Sequence, residues 1–142
     1  MRIARLVRKH DRNNERGQAV AEFALIVPIF LMLVFAIVDF GMGFHAWITV
    51  TNAAREGARL GAVGGSAVEI EDKVFDTSSS LDAAQLGVIV TNAEGNPGES
   101  VTVDVEYDYE LITPLSSIMG LLSGNAIGPN IAFTSKAEMR LE

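Results

Sequence analysis

The sequence contains no cysteine, which excludes disulfides, thiolate zinc sites and cysteine nucleophiles. That absence does not fix the compartment, because an oxidising one permits disulfides without requiring them. Histidine is nearly absent, with only His10 and His45. No phosphate loop of the G-x-x-x-x-G-K-[ST] type occurs. Positive charge is scarce beyond the N-terminus. Residues 1–17 hold six bases (Arg2, Arg5, Arg8, Lys9, Arg12, Arg16) against two acids, whereas the remainder holds five bases against sixteen acids. An acidic body excludes reading the whole chain as a nucleic-acid binder, and the basic leader has no aromatic residue to stack on bases. With 49% hydrophobic and 20% charged residues the chain is too apolar for disorder. Its 142 residues allow one small domain and at most one appended element.

Charge is missing altogether from residues 23–38, FALIVPIFLMLVFAIV. As a helix these sixteen residues span about 24 Å, and residues 19–40, which take in Glu22 and Asp39, span about 33 Å, against a hydrocarbon core of about 30 Å. Pro28 removes one internal hydrogen bond, a loss that membrane helices absorb by local adjustment. The remaining chain is too short to wrap a helix that is apolar on every side, so the run predicts a membrane-inserted segment. The basic leader before it and only Arg55 and Arg59 soon after it predict a cytoplasmic N-terminus. The organisation expected is a basic cytoplasmic leader (1–17), a transmembrane helix (18–44) and an extracytoplasmic domain (45–142) whose first part, 45–63, continues the helix. Such a chain is a single-pass protein of the cytoplasmic, or inner, membrane. His10 and His45 then lie on opposite sides of the membrane, which leaves a histidine metal site or triad without partners.

Beyond the span, Phe44 and Trp47 fall where aromatic side chains favour the membrane–water boundary. Residues 49–63, TVTNAAREGARLGAV, carry small residues at close spacing: Ala54, Gly57, Ala58 and Gly61, followed by Ala62. Such a stripe lets another backbone approach, either a second chain or this chain's own sheet. Gly64 and Gly65 end the helix. A short helix follows over 67–75, with Glu69 and Lys73 at a supportive four-residue spacing, then an apolar strand over 87–91 and a turn over 94–100. Residues 101–112 alternate, with Val101, Val103, Val105, Tyr107, Tyr109 and Leu111 on one face and Thr102, Asp104, Glu106, Asp108 and Glu110 on the other. A short helix over 116–122 and a loop over 124–130 precede a second alternating strand. In that strand, residues 131–141, Ile131, Phe133, Ala137, Met139 and Leu141 point inward and Lys136, Glu138 and Arg140 outward. Three strands with one apolar face need a cover, and the long helix supplies it. The fold class expected is α+β: a long N-terminal helix packed on a small antiparallel sheet of about three strands.

Several chemical readings fail on their surroundings. GMGFHA at 41–46 fits the dinucleotide-binding glycine pattern but follows a membrane helix where a strand is required. The acids of 104–110 lie on a straight strand, about 7 Å apart, and do not enclose a cation; Lys136 and Arg140 complement them if the two long strands are neighbours. Asp39 is read as solvated or capped at the outer boundary of the span. With no nucleophile–base pair, no enzymatic activity, cofactor or metal is expected.

Residues 16–23, RGQAVAEF, place Gly17 and Gln18 before Glu22 and Phe23 at the entrance to the apolar run. Burying a carboxylate costs about 2.5–3.5 kcal/mol at the centre of a span and less near its edge, so Glu22 calls for a partner. This pattern resembles the processing site of type IV pilins and pseudopilins. The longer stretch RGQAVAEFALIVPIF, IVDFG and TNAAREGAR is similar to the TadE-like family of tight-adherence pilus proteins. VTVDVEYDYELITPL and IAFTSKAEMRLE resemble that family's outer domain. The resemblance implies cleavage after Gly17 by a prepilin peptidase, with Gln18 becoming the N-terminus and Glu22 the fifth residue. Glu22 then pairs with the terminal amine of a neighbouring subunit. It further implies a non-enzymatic pseudopilin whose partners are the membrane, the peptidase, other pilus subunits and an inner-membrane assembly platform, with no nucleic acid. The alternative is an envelope-anchored or secreted binding domain with a simple signal anchor or signal peptide, GMG at 41–43 loosely matching a small-x-small cleavage site.

Overall fold

A computed structural model describes residues 8–124 and 130–142. The first seven residues of the basic leader and most of the loop expected over 124–130 lie outside that description. The elements in order are α1 (Arg8–Ala62), α2 (Ala67–Thr77), a 3-10 turn (Ala83–Gln85), β1 (Leu86–Thr91), β2 (Ser100–Glu110), α3 (Leu115–Ser123) and β3 (Asn130–Arg140). The chain divides into two units, Met1–Ile37 and Val38–Glu142.

In the first unit every described residue is helical. Its large apolar side chains point outward all round: Val20, Phe23, Leu25, Ile26, Ile29 and Phe30 are each at least 60% exposed. A water-soluble helix buries one face, and among the described residues 17–37 of this one none is buried. The stretch is long and apolar enough to cross a membrane.

The second unit is α+β. Its three strands form one antiparallel sheet in the order β1-β2-β3. Alternation in β2 puts Val101, Val103 and Val105 fully inside and leaves Tyr107 and Tyr109 nearly so, while Glu106 and Asp108 face out. The helical residues that meet this face are small and fall on one stripe of α1: Gly43, Ala46, Val50, Ala53, Ala54, Gly57, Ala58 and Gly61 are all buried. α2 closes the other side with Ile70 and Val74, both fully buried.

Each helix end has its own chemistry. α1 stops in a Schellman arrangement: the Gly64 and Gly65 N–H groups donate to the Gly61 and Leu60 carbonyls, each at 3.0 Å. Gly64 has φ +89°, a region that costs glycine nothing. The Glu142 N–H adds a bond to the Ala62 carbonyl at 3.1 Å, tying the chain's end to the helix. α2 opens on a capping box in which Ser66 and Glu69 satisfy each other's backbone N–H. The expected Glu69–Lys73 support is therefore not formed. The Glu69 carboxylate turns back to Ser66, whose backbone N–H above all holds it below the usual carboxylate pKa, and Lys73 pairs with Asp76 at 3.9 Å.

Register decides two further expectations. Lys136 lies opposite Asp104 and pairs with it at 3.6 Å. Arg140 lies opposite Ser100, beyond the acidic ladder, with its guanidinium over Gly98, and does not complement the acids. Ile131 pairs with Tyr109 near the end of the sheet and remains 46% exposed instead of pointing into the core.

Candidate functional site

Gly17, Gln18, Glu22 and Phe23 lie on consecutive turns of α1 in the first unit, and all four are exposed. A side chain at Gly17 would meet nothing within 4 Å. The Gln18 Nε2 donates to Glu22 Oε1 at 3.0 Å, an i,i+4 bond along one helical face. This brings the residue that would become the N-terminus and the acid together on one side of the helix. The Gln18 amide is neutral, so the carboxylate gains a hydrogen bond and no compensating charge.

The second acid of the apolar stretch behaves differently. Asp39 is 4% exposed, buried where the sequence allowed a solvated carboxylate. Its Oδ1 accepts the Ile112 N–H at 3.0 Å and the Thr113 N–H at 3.2 Å, and its Oδ2 accepts the Thr113 hydroxyl. The Tyr109 hydroxyl donates to the Asp39 carbonyl at 3.3 Å. Burial, reinforced by the nearby negative charge of Asp39, holds the Tyr109 phenol above its ordinary pKa, so the group stays protonated and keeps donating. Thr113 in turn accepts the Leu115 N–H at 3.3 Å, at the start of α3. One carboxylate thus fixes the corner between β2 and α3 to α1 and satisfies two backbone donors that have no strand or helix partner there. Asp39→Ala is expected to destabilise the second unit by about 2–3 kcal/mol, since it strands those donors. Asp39→Asn, which keeps one acceptor, should lose less. Amide hydrogen exchange at Ile112 and Thr113 reads both.

The small-residue stripe is filled by the chain's own side chains, one of the two uses its spacing permits. Added at Gly57, a Cβ would lie 2.8 Å from a Val74 methyl and 3.3 Å from Ile70 and Val103. At Gly61 it would lie 2.9 Å from both Ile70 and Val101. Ala54 and Ala58 are fully buried beside them. Gly43, from the glycine-rich match at 41–46, sits in mid-helix against Phe133 and Tyr109.

An open groove of about 290 Å³ lies beside the Asp39 corner, lined among others by His45, Asp82, Tyr109 and Glu110. Among the described residues no group of three or more His, Cys, Asp or Glu side chains is placed to hold a metal ion.

Residues 17–59 match the family model described as TadE-like protein. The matched stretch lies wholly within α1, runs from Gly17 through the apolar run into the small-residue stripe, and stops before the strands. TadE-like proteins are tight-adherence pilus-related components, and the resemblance carried by Gly17, Glu22, Phe23 and the TNAAREGAR segment agrees with this match. No curated protein and no solved structure matches the chain.

Proposed function

We propose that the chain is a non-enzymatic pseudopilin, an assembly component of a tight-adherence type IV-like pilus or secretion machine. In this reading a prepilin peptidase cuts after Gly17, residues 18–44 anchor the chain in the cytoplasmic membrane with the leader inside, and the α+β domain stands outside. The observation that carries it is the TadE-like match beginning at Gly17, with Glu22 and Phe23 following at the entrance to the apolar run. The fold adds a physical argument against the signal-peptide alternative. A cut before Phe44 would remove Asp39, whose carboxylate holds Ile112 and Thr113, and Gly43, which packs on Phe133 and Tyr109. Cleavage after Gly17 leaves both Asp39 and Gly43 in the mature chain.

The test is the mature N-terminus in cells that hold the cognate peptidase. Mass spectrometry should find a chain starting at Gln18. A start at Phe44 would indicate a signal peptide, and an intact chain a plain anchor. Gly17→Trp should abolish maturation by obstructing the cut bond, and since nothing packs within 4 Å of that position the helix itself should tolerate it.

A further inference from the structure

Residues 111–135 form a second stretch without any charged side chain, twenty-five residues long, set between the acidic β2 and Lys136. It contains the corner held by Asp39, the whole of α3 and the first half of β3. Its apolar side chains are not all buried. Leu121 on α3 is 87% exposed, the highest value of any large hydrophobic among the described residues, and Ile112 at the corner is 62% exposed. Exposure alone does not single them out, since Val63, Val68 and Ile89 are also more than 60% exposed; what distinguishes Ile112 and Leu121 is an uncharged stretch beside the Asp39 corner.

The position of that stretch indicates what it contacts. Asp39 follows directly on Val38, the last residue of the charge-free run, so it marks the point at which the chain leaves the hydrocarbon. That same carboxylate binds the N–H groups of Ile112 and Thr113. α3 begins two residues later, within about 7 Å of chain. On the outward face of α1 at this level Phe40, Phe44 and Trp47 form an exposed ladder, with ring centroids 6.3 and 5.7 Å apart. Aromatic rings of this kind concentrate at the membrane–water boundary. An uncharged helix tethered there meets lipid at high effective concentration, so it needs little intrinsic affinity to remain bound. The absence of Lys and Arg from α3 means that the contact is apolar and does not select anionic headgroups.

We infer that α3, with Ile112 and Leu121, is a membrane-interface helix that rests the outer domain on the lipid surface, a second membrane contact beyond the anchoring helix. The inference rests on the reading of the charge-free run, residues 23–38, as membrane-inserted.

The absence of cysteine makes a clean test possible. Leu121→Cys and Ile112→Cys are spin-labelled in the full chain, reconstituted in vesicles of phosphatidylethanolamine and phosphatidylglycerol. Leu33→Cys in the apolar run and Glu138→Cys on the outer face of β3 serve as references, both at exposed positions. Collision rates with oxygen report lipid, and those with a water-soluble nickel chelate report solvent. The labels at 112 and 121 should show an oxygen-to-nickel ratio several-fold above that at 138, and Leu121→Glu should shift the label at 112 toward solvent. If positions 112 and 121 match 138 while 33 reads lipid, the inference is wrong and the span stands. If 33 also reads solvent, the membrane reading fails and takes the inference with it. Labels at 112 and 121 shielded from both reagents would mean that protein covers α3, which overturns the lipid contact.

Discussion

Gly57→Leu and Gly61→Leu are each expected to abolish the native packing of the outer domain. The first added carbon at Gly57 already falls 2.8 Å from the Val74 methyl, and at Gly61 it falls 2.9 Å from Ile70 and Val101. Those neighbours are fully buried β-branched side chains with nowhere to swing. Overpacking a filled core costs about 1–3 kcal/mol when a methylene or so is added, and leucine brings four carbons to a point with room for none. Against a total stability of about 5–15 kcal/mol for a small domain, α1 must separate from α2 and β2 or the unit must unfold. Alanine at Gly57 should destabilise more mildly, because about 1 kcal/mol of helix propensity offsets part of the clash. Gly41→Ala, at an exposed position with nothing within 4 Å, should be neutral or stabilising. Limited proteolysis of the solubilised full chain reads the outcome: β2 and β3 should lose protection in the leucine variants and keep it in Gly41→Ala. Wild-type protection in Gly57→Leu would mean that the glycine stripe is free to receive another chain.

The elements that the sequence reveals most directly are those whose pattern repeats. Alternation from Val101 to Tyr109 predicts the buried face of β2, and the charge-free run predicts the helix that buries none of its described residues in the first unit. The stripe at Ala54, Gly57, Ala58 and Gly61 predicts a close approach without naming the partner, because a small residue advertises only that something comes near. The role of Asp39 left less trace. Its carboxylate binds backbone N–H groups more than seventy residues away, and a backbone donor has no sequence signature. The legible part was an acid at the edge of an apolar run with no cation beside it. Glu69 and Arg140 show the same limit on a smaller scale. Spacing suggested side-chain pairs, while a nearer N–H at Ser66 and a register ending at Ser100 determined where the charges went. At the residues read as a processing site, pattern and family match both reach Gly17, Glu22 and Phe23, but the pairing of Glu22 with another chain is invisible in a single chain.

Glu22→Leu should separate a pseudopilin from a simple anchor with the largest functional effect of any single substitution here. A plain anchor gains nothing from a carboxylate near hydrocarbon, so leucine should ease insertion and leave function intact. In a pseudopilin the acid offers an oriented charge to the Gln18 amine of a neighbouring subunit. Within one chain its described partner is the Gln18 side-chain amide at 3.0 Å, which is neutral and leaves that charge available. In a low-dielectric setting the attraction between carboxylate and amine selects partner and register. It need not add much net stability, because desolvating both groups offsets the Coulomb gain. The expected result is therefore specific: Glu22→Leu inserts and is cut after Gly17, yet crosslinks poorly to other pilus components and yields little or no surface fibre. Glu22→Asp should be intermediate, its carboxylate one methylene short. Gln18→Ala removes the neutral donor but keeps the terminal amine, and should stay close to wild type in both measurements. If Glu22→Leu equals wild type in crosslinking and in fibre yield, the pairing mechanism is wrong. If Gln18→Ala fails as badly as Glu22→Leu, the side-chain bond within the chain, and not the amine of a neighbour, is what assembly requires.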